Sequence, residues 1–435
     1  MKTMINSLKA TMFIACIIIL FSFTVRAAAK WEQARYGASG FSIGSKGYIG
    51  TGFGYVNNAF SLKKDFWEYD PATDSWSQKA DFGGTARRFA VGFSIGTKGY
   101  IGTGNPDGTF AKDFWEYNPT SNTWARKADF GGTARGAATG FSIGTKGYIG
   151  TGQGLAGTSL YNTSDFWEYD PATDTWSQKA DFTGIARYAA AGFSINNKGY
   201  IGTGINWVSS TQYTFQKDFY EYDPTTNTWT RKADFGGIIR AFSAGFCIGS
   251  KGYIGTGSTS GTLLNDFWEY NPSTDTWLQK AGFGGKIRSS TASFSIGTKG
   301  YIGTGCIATN SYAQDFWEYN QSNNAWTQKT DLGITHKGNL KEGETTDEMY
   351  ANVSNTELVV YPNPSATIFN FRLKTMSEDL VNIKIFDLTG RLVHEYLSLS
   401  PYQIMTVGET IAAGAYIAVV TQGEYRKTVK INKVN

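Results

Sequence analysis

The chain has 435 residues, and 40 Lys+Arg against 36 Asp+Glu leave a formal net charge of only +4. A balance that small gives no strong field toward nucleic acid or an anionic membrane. Aromatics at 15%, 52 glycines and only 17% charged residues exclude a disordered chain and suggest short strands joined by tight turns. Two histidines, His336 and His394, and three cysteines, Cys16, Cys247 and Cys306, exclude a His-rich or Cys-rich metal centre and a disulfide scaffold.

Lys2 and Lys9 precede an apolar run from Thr11 to Val25, followed by Ala27, Ala28 and Ala29. The run is shorter than the roughly 20 residues of a spanning helix. The pattern predicts a signal peptide over residues 1–27 and an exported mature chain without a transmembrane segment. Removing Lys2, Lys9 and Arg26 leaves 37 − 36 = +1. Cys247 and Cys306 each stand where the other repeats carry no cysteine, and we read them as incidental.

The dominant feature is an internal repeat over residues 30–332. A GYIGTG phrase recurs with its tyrosine at Tyr48, Tyr100, Tyr148, Tyr200, Tyr253 and Tyr301, at spacings of 52, 48, 52, 53 and 48. A second phrase, typified by DFWEYDPATDTW, ends at Trp76, Trp124, Trp176, Trp229, Trp277 and Trp326. A period near 50 without helical periodicity points to a propeller. Punctuation divides the first copy into four strands, Ala38–Ile43, Tyr48–Thr51, Asp65–Tyr69 and Ser75–Lys79, separated by Gly44-Ser45-Lys46-Gly47, a long 2–3 segment and Asp70-Pro71-Ala72-Thr73-Asp74. Six such units predict an all-β chain with six blades whose Trp and Tyr pack between neighbours.

Arg35, Gly47-Tyr48-Ile49-Gly50, and Tyr69 with Trp76 seven residues on resemble the kelch repeat over about Arg35 to Leu332. Gly50-Thr51-Gly52 stands where that family has a Gly-Gly pair. The resemblance implies the propeller fold and leaves function open, since kelch propellers include enzymes, adaptors and surface proteins. Trp31-Glu32-Gln33-Ala34 resembles a truncated fourth strand that would help close the ring.

Residues 333–357 are polar, with charges of both signs, and read as a linker. Alternating strands follow at Ile368–Leu373, Val381–Asp387, Arg391–Tyr396, Gly414–Val420 and Thr428–Val434, the pattern of a small Ig-like β-sandwich over residues 358–435. Tyr361-Pro362-Asn363-Pro364, Asp387 and Gly390 in FDLTGR, Gly414-Ala415-Tyr416, and Lys427 in KTVKI resemble the C-terminal sorting domain of the type IX (Por) secretion system. The resemblance implies that machinery as partner, passage through the outer membrane of a Bacteroidota-type cell, and anchoring at its surface.

Nothing in the repeat assembles a catalytic or metal site. Gly152-Gln153-Gly154-Leu155-Ala156-Gly157 matches G-x-G-x-x-G but precedes no helix, so we read it as a loop and infer no cofactor. The propeller has no histidine for a copper site or a nucleophile pair. Its acids repeat in every blade, as Asp65/Glu68, Asp113/Glu116, Asp165/Glu168, Asp218/Glu221, Asp266/Glu269 and Asp315/Glu318. Catalysis by two carboxylates needs unlike environments. The repeated Arg35, Arg87, Arg135, Arg187, Arg240 and Arg288 either grip an acidic ligand as a ring or pair with those acids, and the second is favoured.

The 2–3 loops vary in length and composition: Phe53–Lys64, Asn105–Lys112, Gln153–Ser164, Ile205–Lys217, Ser258–Asn265 and Cys306–Gln314. Variable loops on a rigid scaffold carry recognition. The candidate binding residues are Tyr55, Asp107, Tyr161, Trp207, Tyr213 and Tyr312, for an unknown glycan or protein. The chain is expected to be a secreted or surface-displayed binding protein. The alternatives are a carbohydrate-active enzyme and a structural surface component.

Overall fold

The computed structural model describes residues 33–56, 59–157, 159–209, 212–308, 310–333, 357–374, 381–399, 405–422 and 425–434. The expected signal peptide, most of the expected linker, Trp31, Glu32, Asn57 and Asn58 lie outside them. All regular structure among the described residues is β-strand. Two compact units divide near Lys337, and each is described by itself.

The first unit holds six four-stranded antiparallel sheets. In blade 1 the strands are Ser39–Ile43, Lys46–Gly50, Phe66–Asp70 and Ser75–Lys79, paired in that order. The first strands of blades 2 to 6 are Val91–Ile95, Thr139–Ile143, Ala191–Ile195, Ala244–Ile248 and Ala292–Ile296. Each lies beside the first strand of the next blade, and that of blade 6 lies beside that of blade 1, so the ring closes.

Two sequence features make the blades fit. The Phe in each first strand lies flat on a glycine of the next blade. A Cβ on Gly99 would come 2.3 Å from Phe41, and one on Gly47 would come 2.2 Å from Phe294 across the closing junction. Phe41, Tyr48 and Phe66 then share a core with Ile101 and Tyr117 of blade 2, and every junction repeats this. The second feature is the turn between strands three and four. Asp74, Asn122, Asp174, Asn227, Asp275 and Asn324 adopt positive φ there, which Asp and Asn tolerate best among non-glycine residues.

Their carboxyl or amide oxygens clamp the preceding blade. Asn122 Oδ1 accepts the N–H of Ala80 at 2.9 Å, while Trp124 Nε1 donates to the Ala80 carbonyl at 3.1 Å. Asp74 and Trp76 make the same pair of bonds to Thr330, both 2.9 Å, which ties blade 1 to blade 6.

Of residues 31–34, read as a truncated fourth strand that would help close the ring, Gln33 and Ala34 are described. Ala325–Lys329 already supplies the fourth strand of blade 6, and Gln33 and Ala34 lie outside any strand. Arg35 and Gly37 add to the closing junction: their N–H groups donate to the Ala313 and Ser290 carbonyls of blade 6, the Gly305 N–H donates back to the Arg35 carbonyl, and a Cβ on Gly333 would come 2.3 Å from the Gln33 side chain.

The 2–3 loops are corrected, because five of the six fold into hairpins. They are Phe53–Val56 with Ala59–Leu62, Gln153–Ala156 with Ser159–Asn162, Ile205–Trp207 with Tyr213–Phe215, Ser258–Thr259 with Thr262–Leu263, and Cys306–Ala308 with Ser311–Tyr312. The G-x-G-x-x-G run is thus a hairpin strand with Gly157 at its turn, φ +61°. Blade 2 has no such hairpin, its connection being a turn closed by Thr109 N–H on the Pro106 carbonyl.

In the second unit, sheets of three and four strands enclose one core of Phe369, Phe371, Ile383, Ile385, Val407, Ala418 and Val420, the arrangement of a small sandwich. Glu357–Tyr361 and Met405–Val407 are strands beyond those read from the sequence.

Candidate functional site

The six repeated arginines are buried, each at 1% exposure or less. Arg35 holds Asp65 through Nη1 at 2.7 Å and Nη2 at 2.6 Å, and Trp67 Nε1 donates to the same carboxylate at 2.8 Å. Arg87–Asp113, Arg135–Asp165, Arg187–Asp218, Arg240–Asp266 and Arg288–Asp315 repeat the two-pronged contact. Burial pushes the Asp65 carboxyl upward, but the charge and hydrogen bonds of Arg35 outweigh it and hold the group below the usual carboxylate range. The repeated glutamates are also engaged, with Glu68 accepting from the Tyr48 hydroxyl at 2.6 Å. A carboxylate held this way has its lone pairs committed inside the blade.

The residues immediately after each arginine build the axial mouth on the hairpin side. Gly37, Phe89, Ala137, Ala189, Phe242 and Ser290 all adopt positive φ, from +49° to +62°. Each donates its N–H to the carbonyl of the preceding one, at 2.7 to 3.0 Å, so six backbone bonds run in a closed circle. Phe89 and Phe242 stand second and fifth in that circle, on opposite sides of the axis. Their ring centroids are 5.5 Å apart, so they meet over the channel. A cavity of about 140 Å³ is lined by this circle and the residues that follow it.

Around the mouth the six-fold repeat breaks down. On the side of blades 6, 1 and 2, Tyr36, Phe53, Phe89 and Tyr312 form an aromatic cluster, with Tyr36 and Tyr312 centroids 4.8 Å apart. The guanidinium of Arg88 stands 5.4 Å from the centroids of Tyr36 and Phe53 and 5.5 Å from that of Phe89. Its Nη1–H donates to the Tyr36 hydroxyl. On the opposite side, Ile205, Ala241, Tyr188, Phe215 and Phe242 make an apolar cluster.

Among the expected binding residues whose side chains the structure describes, only Tyr312 joins the aromatic cluster. Tyr55 lies in the blade 1 hairpin, and Asp107 is exposed on the blade 2 turn. Tyr161 donates its hydroxyl to Thr133 Oγ1 at 3.0 Å. Trp207 and Tyr213 face each other across the blade 4 hairpin, and the Trp207 carbonyl accepts from Asn162 Nδ2 of blade 3 at 2.7 Å. Sequence reasoning missed Tyr36, Arg88, Phe89 and Phe242. The signal was available, since the two positions after each constant arginine change from copy to copy.

The tail motif residues shape the sandwich. Asn363 Nδ2 donates to the Lys430 carbonyl at 2.8 Å, and Asn363 Oδ1 accepts from the Asn432 N–H at 2.9 Å. Asp387 accepts from the Thr389 hydroxyl and from Arg391, which lowers its pKa to about 2. Gly390 has φ +86° in that turn. Tyr416 is buried and donates to the Ala412 carbonyl at 2.9 Å. Gly414 opens the strand Gly414–Gln422, Tyr361 is 40% exposed, and Lys427 is exposed on the last strand.

Residues 359–433 match the family described as secretion system C-terminal sorting domain. Over 82 residues the chain is 39% identical to N-acetylneuraminate epimerase of Yersinia enterocolitica serotype O:8 / biotype 1B (strain NCTC 13174 / 8081). That match covers 18% of this chain and spans only 20% of the relative's length. The solved structure described as "Structure of YjhT" has a TM-score of 0.56 at 16% identity, covering 68% of this chain and 98% of that one. At that identity the likeness concerns the fold. The chain thus joins a six-bladed β-propeller to a segment that matches the secretion system C-terminal sorting domain, the mark of type IX secretion.

Proposed function

We propose that the protein is a binding protein of the cell surface or its surroundings, recognising its ligand through the hairpin face of the propeller. The observation that carries this reading is that the largest departures from the repeat gather on one face, where the 2–3 connections differ in length and fold. Leu155, Ile185, Val208, Tyr213, Ile238 and Ile287 are each between 43% and 57% exposed, and all lie on the hairpins or the connections beside them. On the other face Lys46–Asp70, Lys146–Asp170 and Lys198–Asp223 pair alike in blades 1, 3 and 4, and the turn between strands three and four keeps one length in every blade. Exposed apolar and aromatic side chains grouped on one face suit recognition.

A second reading is a carbohydrate-active enzyme, favoured by the activity for which the Yersinia relative is named. Glycan and protein arrays, with hydrolase and epimerase assays on the full chain, separate the two. Array binding that is lost when the hairpins are altered supports the first. Turnover supports the second, and neither result leaves a structural surface component.

A further inference from the structure

The hairpin face carries a cation that the repeat does not account for. Each repeated arginine is matched to an aspartate, and the exposed Arg126 and Arg231 pair with Asp129 and Asp234. Arg88 is different. It is half-buried, enclosed by the rings of Tyr36, Phe53 and Phe89, and among the described residues no carboxylate forms an ion pair with it. Aromatic faces attract a guanidinium but do not neutralise it, and the group stays protonated. A half-buried cation without an anion is costly, so an anionic ligand gains by supplying one.

The position also leaves room for a ligand. The Arg88 backbone pairs with Asn105, at the start of the one 2–3 connection that does not fold into a hairpin. After its bond to Tyr36, the guanidinium retains N–H donors in the fork that matches a carboxylate. The Tyr36, Phe53 and Tyr312 rings offer flat apolar walls beside it, suited to the C–H face of a sugar ring.

The geometry points to a subsite for the carboxylate of an acidic sugar beside the axial mouth. Arg88 takes the carboxylate, and the aromatic cluster takes the ring. This rests on the hairpin face being the binding face, and it names the ligand class and the anchoring residue there.

The test is calorimetric titration of the full chain with glucuronate and N-acetylneuraminate, two sources of such a carboxylate, against glucose and N-acetylmannosamine. The tighter acid identifies the source, and it should bind at least about tenfold better than its neutral counterpart. Arg88→Gln should abolish that preference with the melting temperature unchanged, whereas Arg126→Gln should leave it intact. Equal affinity for acid and neutral sugar overturns the subsite, as does a preference that survives Arg88→Gln. Should Arg88→Gln lower the melting temperature, Arg88→Lys decides, because a point charge in place of the fork should cut the acid-to-neutral ratio several-fold and an unchanged ratio overturns the proposal. Array binding lost in Trp207→Ala, without any preference for acids, keeps the face and removes the arginine subsite. No array binding at all removes both.

Discussion

Arg135 shows how much a single repeated residue does. It grips Asp165 with two bonds, donates to the Thr151 carbonyl at 3.0 Å, and lies 4.9 Å over the Phe130 ring. Arg135→Met removes all of these and leaves the Asp165 charge with Trp167 Nε1 and a backbone N–H but no cation beside it, so it should destabilise by about 3 kcal/mol, read as a lower denaturation midpoint. The same contacts set the pH limits. Asp65, Asp113, Asp165, Asp266 and Asp315 all have lowered pKa values. Their contribution is therefore full above the unfolded carboxylate pKa, about 4, and is lost as pH falls through the folded values. Tyr48, Tyr148 and Tyr253 are raised by burial and then by their glutamate partners. Their contribution is present below about pH 10 and fades as pH climbs through the folded values. Melting temperature against pH should form a plateau that falls at both ends, and a flat acid limb would contradict this account. The arginine–acid alternative was legible because both residue types recur in every copy. Arg88 was legible only as one of the changing positions after the constant arginines, and its surroundings were not, since they are assembled from Tyr36, Phe53 and Tyr312, residues separated by most of the propeller sequence.

At the scale of the element, the core strands were legible to within two residues, because Gly-rich turns and the Phe/Tyr/Trp phrases recur in phase. Ser75–Lys79 was read without error. The hairpins were hidden for a physical reason. Their strands run only two to four residues, too short to display alternation, and they are held by pairing to the segment after each arginine, as in Tyr188 with Ile205. The binding role proposed for this face makes a one-sided mutational map the expectation. Trp207→Ala and Tyr213→Ala should weaken ligand binding by up to about 2 kcal/mol each on titration. Their effect on thermal stability should be small, because Tyr213 is 45% exposed. Trp76→Ala should do the opposite, destabilising by about 3–5 kcal/mol, since its side chain is 1% exposed between blades. If binding survives both hairpin changes, recognition does not use that face.

The two units have separate cores, with Phe369, Ile385 and Val420 in one and residues such as Phe41, Tyr117 and Phe316 in the other. Deleting residues 357–435 should therefore leave the propeller's melting transition in place while abolishing export past the outer membrane, and undiminished surface display of the truncation would refute the sorting role. Within the propeller, the whole ring depends on one junction that the chain does not cross. Blades 1 to 6 are joined covalently in sequence, whereas blade 6 meets blade 1 only through non-covalent contacts. These are the Asp74 and Trp76 bonds to Thr330, the Arg35 and Gly37 backbone bonds, and the packing of Phe294 on Gly47. Asp74 gives a controlled way to test that junction. It adopts φ +48° and accepts from both Thr330 N–H and the Tyr69 hydroxyl, at 2.9 Å each. Blades 2, 4 and 6 use asparagine at the same position, with the same two bonds. Asp74→Asn should accordingly be nearly neutral. Asp74→Ala keeps the strained φ, loses the acceptor and leaves two donors short of a partner, at about 1–3 kcal/mol. The equivalent Asn122→Ala loses the same bonds at a junction that the chain does cross. Because a covalent connection limits opening there, hydrogen exchange at blades 6 and 1 should accelerate in Asp74→Ala while Asn122→Ala produces no matching change at blades 1 and 2. Equal acceleration in the two variants would mean that closure is no weaker than any other junction.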